Sequence, residues 1–131
     1  MERVTGLGGF FVKCADADRQ IDWYRKHLGL PINAEYGGWN FEWKNAEDGK
    51  EKGMTVFSLF PKSTPYFDPS SSSFMVNFRV KDLDALLATL ASEGVKIDPK
   101  RDDAPYGRFA WIYDPEGNKI ELWEPPEGSR G

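Results

Sequence analysis

The segment KIELW (residues 119–123) reads as a β-strand in which Lys119, Glu121 and Trp123 share one face and Ile120 and Leu122 the other. The second face is apolar and belongs to a core. The first places a carboxylate between an ammonium and an indole. On an outer, hydrated face Glu121 would do nothing beyond solvation. Lining a concave pocket, it would lose hydration, its pKa would rise, and it would suit proton abstraction beside a carbonyl. Walled by aromatic rings, the same group would also favour a cation.

Glu121 closes a hairpin whose strands cover residues 109–113 and 119–123, rich in aromatic and β-branched side chains. Between them Asp114-Pro115-Glu116-Gly117-Asn118 spells a tight turn: Pro115 pre-sets φ, Asp114 accepts hydrogen bonds from the turn, and Gly117 tolerates the left-handed region. Earlier, residues 10–14 read as a buried strand. Asp16 caps a helix that carries Ile21, Tyr24 and Leu28 on one face and stops at Gly29. A weak strand is expected near 33–36, a strand at 39–44, a polar hairpin loop at 45–52 and a strand at 53–60. Residues 61–73, with three prolines and a serine run, read as a linker without packed structure of its own. The pattern then restarts. Residues 74–80 form a strand, Asp82 caps a helix bearing Leu83, Leu86, Leu87 and Leu90, and Gly94 stops it. A short strand at 95–97 and a charged loop lead into the hairpin. Aligning Asp16 with Asp82 sets FFVKCAD over VNFRVKD, which favours internal duplication.

A chain of 131 residues fits one domain and buries about two-thirds of its unfolded surface. Its single cysteine, Cys14, excludes an intrachain disulfide and a cysteine-rich metal site. Neither a signal peptide nor a membrane-length apolar run is legible, so a cytoplasmic protein is expected. A net charge of −4 and a pI near 5.0 argue against nucleic acid as a partner, for want of a basic stripe. Five Trp among 15% aromatics can line a pocket for a planar or apolar ligand.

The duplicated βαβββ unit, the WYxxxLGL helix end at 23–30 and the DPEGNxIEL hairpin at 114–122 together resemble the vicinal oxygen chelate superfamily. That group includes glyoxalase I, extradiol dioxygenases and bleomycin-resistance proteins. The resemblance implies an α+β fold: two tandem βαβββ modules whose curved half-sheets enclose a cleft. Module 1 would span about 7–60, the linker 61–73 and module 2 about 74–125. It also implies homodimerisation. Metal-dependent members bind their ion through the first and last strands of each module. Carried onto this chain, those positions fall on Gly9, Met75, Phe57 and Glu121, of which only Glu121 can ligate. The one histidine, His27, sits near the end of the first helix. No metal and no cofactor are therefore expected.

Strand parity gives the expected inner face. It takes Phe11 and Lys13 from the first strand, Met75, Asn77 and Arg79 from its counterpart, and Phe57, Phe109, Trp111, Glu121 and Trp123 from later strands. Trp39, Phe41 and Trp43 are further candidates. Arg79 either forms an ion pair with Glu121 or, like Arg108 and Tyr106 at the mouth of the hairpin, grips an anionic group. This composition suits a metal-free pocket that binds a small molecule. The alternative is a metal-independent isomerase or lyase with Glu121 as general base. A metal-dependent glyoxalase-type lyase or dioxygenase ranks lower.

Overall fold

The computed structural model describes residues 3–44 and 52–126. The polar loop expected at 45–52 falls, except for its last residue, outside them. Nine elements follow one another: β1 (Val4–Cys14), α1 (Ala17–Leu28), β2 (Gly38–Lys44), β3 (Lys52–Pro61), β4 (Phe74–Val80), α2 (Leu83–Ser92), β5 (Lys96–Ala104), β6 (Gly107–Tyr113) and β7 (Lys119–Glu124). The helices start where the sequence caps them. Asp16 accepts a hydrogen bond from the Arg19 N–H at 3.1 Å, and Asp82 one from the Ala85 N–H at 3.0 Å. Gly29, at φ 67°, ends α1 in the left-handed region.

All seven strands join one mixed sheet in the order β2-β3-β1-β4-β7-β6-β5. Its duplication is visible in the pairing. In each half the last strand runs parallel to the first, β3 beside β1 and β7 beside β4. The halves meet along the antiparallel β1–β4 seam. α1 covers one half through Cys14, Ile21, Ile32 and Leu59; α2 covers the other through Val80, Leu83, Leu86, Ala110 and Leu122. Among the described residues no helix covers the opposite face of the sheet.

Four expectations are corrected. The weak strand at 33–36 reduces to an isolated bridge between Asn33 and Gly38, because residues 34–37 turn instead. β5 runs through the segment read as a charged loop, pairing with β6 despite a register break between Ile97 and Arg101. Residues 61–73 are a packed strap: Phe67 is fully buried against Phe11, Met75 and Trp111. Finally, Phe57 and Trp39 face α1, where Phe57 packs edge-on against Tyr24. The pairing of Phe11 with Ser58 in one half and Asn77 with Glu121 in the other makes Ser58, one residue beyond Phe57, the position matching Glu121. A one-residue displacement in a strand exchanges its two faces.

Phe67→Ala is expected to destabilise the protein by about 3–5 kcal/mol, the usual cost of emptying a buried aromatic site. Urea unfolding monitored by tryptophan fluorescence reads this directly. A change below about 0.5 kcal/mol, typical of an exposed position, would return the segment to a loose linker.

Candidate functional site

The helix-free face of the sheet carries a cavity of about 340 Å³ whose lining includes Phe11, Asn77, Phe109, Glu121 and Trp123, with Tyr66 reaching in from the strap. Strand alternation explains how the lining is assembled. On β7, Glu121 and Trp123 point inward while Leu122 enters the α2 core; on β4, Asn77 points inward between Val76 and Phe78. The register sets Asn77 beside Glu121, and Glu121 opposite Trp111.

Glu121 is the centre of this arrangement, with 2% of its surface exposed. Its carboxylate accepts hydrogen bonds from three elements. Asn77 Nδ2 on β4 donates to Oε1 at 2.6 Å, Trp111 Nε1 on β6 donates to Oε2 at 3.0 Å, and the Tyr66 hydroxyl of the strap also donates to Oε2. With two donors Oε2 is saturated, whereas Oε1 keeps acceptor capacity. Burial pushes the Glu121 carboxyl up; the bonds from Tyr66, Asn77 and Trp111 and the charge of Lys119 pull the other way without cancelling it. Burial and the neighbouring carboxylate raise the Tyr66 hydroxyl as well, so Tyr66 remains a donor. Lys119 fastens the strap, its Nζ donating to the Tyr66 and Asp68 carbonyls, each at 3.0 Å. Burial lowers its pKa.

Glycine makes room at two points. A Cβ on Gly8 would lie 2.1 Å from Asn77 Oδ1, so the β1 backbone packs directly on that amide. Gly107, at φ 141°, leaves space for the Trp123 indole, whose Nε1 donates to the Tyr106 carbonyl at 3.0 Å.

The expected site residues divide into three groups. Phe11, Asn77, Glu121 and Trp123 line the cavity; Met75 and Trp111 are buried next to it, Met75 packing with Phe11, Phe67 and Trp111. Lys13, Trp43 and Arg79 lie off it. The Lys13 ammonium sits 5.1 Å from the Phe67 ring centre, and the Arg79 guanidinium is buried over Trp43 at 4.9 Å. The Arg79–Glu121 ion pair is not formed, since Tyr66, Asn77 and Trp111 occupy the carboxylate instead. Phe57 and Arg108 belong elsewhere: Phe57 faces α1, and Arg108 pairs with Asp84 at 2.8 Å at the start of α2. His27 lies exposed at the end of α1 beside Trp23. Sequence reasoning missed Tyr66, Ser58, Asn40 and Asp102. Only Tyr66 left a signal, as half of an aromatic pair with Phe67 inside a Pro/Ser-rich stretch.

The chain matches the Glyoxalase/Bleomycin resistance protein/Dioxygenase superfamily over residues 6–122, and it belongs to that family. It is 29% identical over 117 residues to the Bacillus subtilis (strain 168) protein YraH, covering 83% of this chain and 90% of that one. Among solved structures it resembles methylmalonyl-CoA epimerase from Mycobacterium tuberculosis, with 26% identity, 96% and 91% coverage of the two chains and a TM-score of 0.63. A Streptomyces coelicolor methylmalonyl-CoA epimerase variant in complex with 2-nitronate-propionyl-CoA superposes with a TM-score of 0.68 at 18% identity, covering 98% and 99% of the two chains.

Family members that use a metal need several ligands, and the donor set here does not fit one. Phe11 and Asn77 stand at the same distance before the Asp caps, so the Phe11–Ser58 pair is the counterpart of Asn77–Glu121. The four candidate positions are thus Gly9, Ser58, Met75 and Glu121, a single carboxylate already engaged by three donors. Among the described residues no three His, Cys, Asp or Glu side chains converge as a metal site.

A carboxylate whose folded pKa is raised stabilises the fold most below its unfolded pKa, and this contribution is lost as pH rises through the folded value. Wild type should therefore gain stability relative to Glu121→Gln as pH falls from neutral towards 4. Parallel urea titrations of the two proteins across that range measure the difference. The opposite slope would mean that the three donors outweigh burial.

Proposed function

We propose that the protein binds a small organic molecule in this cavity without a metal, with Glu121 as the polar anchor and Phe11, Phe109, Trp123 and Tyr66 as walls. One observation carries the reading: a buried carboxylate held by three donors of its own chain on the wall of an aromatic cavity, with Oε1 still able to accept a hydrogen bond. Such pre-positioning suits recognition, because the anchor need not reorganise when a ligand arrives. The cavity volume falls within the range of small-molecule sites.

A second reading makes the same pocket that of a metal-independent isomerase or lyase. It is supported by the raised pKa of Glu121, which suits a general base, and weakly by the likeness to methylmalonyl-CoA epimerases. Assembly as a homodimer belongs to the proposal too. The stacked Phe10 and Phe74 rings, 36% and 46% exposed, offer apolar surface to a second copy.

Ligand screening by thermal shift and tryptophan fluorescence, with EDTA or with added divalent ions, tests the first reading. Stabilisation is expected to be equal in both conditions and to fall by about tenfold or more in affinity in Glu121→Gln. Stabilisation only with a divalent ion would overturn it. For the second reading, α-proton exchange of methylmalonyl-CoA in D2O, followed by NMR, should be detectable and drop roughly 10²–10⁴-fold in Glu121→Gln. Absence of exchange removes that substrate, and exchange undiminished in the variant removes Glu121 as base.

A further inference from the structure

The charged side chains that line the cavity are of one sign. Exposed Asp102 stands at the rim with Tyr106, Glu121 is buried within, and no Lys, Arg or His occurs among the described lining residues. The nearby cations are engaged elsewhere. Arg79 stacks on Trp43, Lys119 donates to the strap carbonyls, and Arg108 pairs with Asp84.

Around Glu121 most donors are already taken. The Tyr66 hydroxyl and the Trp111 Nε1–H are spent on the Glu121 carboxylate, and Asn77 Nδ2 spends one of its two N–H groups there. Glu121 lines the cavity, and its Oε1, which takes one donor, keeps acceptor capacity. Tyr66, Phe109 and Trp123 line the cavity with Glu121. The negative faces of aromatic rings attract cations.

We propose that the ligand is a planar organic cation bearing N–H donors, of the amidine, guanidine or protonated aromatic amine class, with a donor turned to Glu121 and its charge drawn in past Asp102. This rests on the small-molecule reading above and adds the sign of the ligand. The two acidic side chains set this pocket apart from one built for a carboxylate ligand, which they would repel.

Isothermal titration with three isosteric probes, 2-naphthamidine, 2-naphthamide and 2-naphthoate, tests the assignment. The amidine is expected to bind roughly tenfold or more tightly than the amide, and the carboxylate most weakly. Asp102→Asn should reduce the preference for the amidine several-fold. It should also flatten the weakening seen on raising salt to about 0.3 M, since an exposed charge is screened. If the amide or carboxylate binds as tightly as the amidine, the assignment falls while the pocket stands. If none of the three binds at millimolar concentration, the small-molecule reading falls with it. An amidine preference unchanged in Asp102→Asn would overturn the part assigned to the rim.

Discussion

A carboxylate withdrawn from water must be met by donors, and the arrangement of this molecule around its helix-free face follows from that requirement. Glu121 sits in the last strand of the second module, and its donors come from β4, β6 and the strap. Leaving it unpaired would cost several kcal/mol. The strap is thus tied to the sheet by Tyr66 on one side and by Lys119 on the other, with Phe67 sealed beneath them. The same contacts that lower the cost of burial fix the shape of the cavity wall.

The family's duplicated architecture makes the asymmetry of the two halves meaningful. At matching places in the pairing, one half holds Asn77 beside Glu121 and the other Phe11 beside Ser58. Polar chemistry has been concentrated in one module, while the other contributes mainly surface for packing. A fold that elsewhere brings ligands from both halves to one point here brings acceptors from one half against rings and aliphatic groups from the other.

Local signals were the most legible part of the sequence. Asp16, Asp82 and Gly29 act within a few residues of themselves, and they mark helix ends in the structure as they do on paper. Period-two alternation placed Met75, Asn77, Phe109, Trp111, Glu121 and Trp123 on one face because their strands begin and end where turn residues say they should. It failed for Phe57, because the partner of Glu121 in the other half is fixed by pairing across strands, Phe11 with Ser58 as Asn77 with Glu121, and not by spacing along β3. Tyr66 escaped notice for a different reason. Proline and serine describe a backbone that cannot join a sheet or helix, but not whether its side chains are buried. The fate of Arg79 was beyond reach as well: whether it meets Glu121 or Trp43 depends on sheet twist and register across elements, not on spacing along the chain.

The sheet has two open edges, and β5 is built against extension. Pro99 lacks an N–H, the pairing register slips between Ile97 and Arg101, and Lys100, Arg101, Asp102 and Asp103 crowd one short run with charge. Each of these features discourages another chain from adding a strand there. Because Asp102 is on that edge and also on the cavity rim, the devices that keep β5 from aggregating also keep the entrance clear.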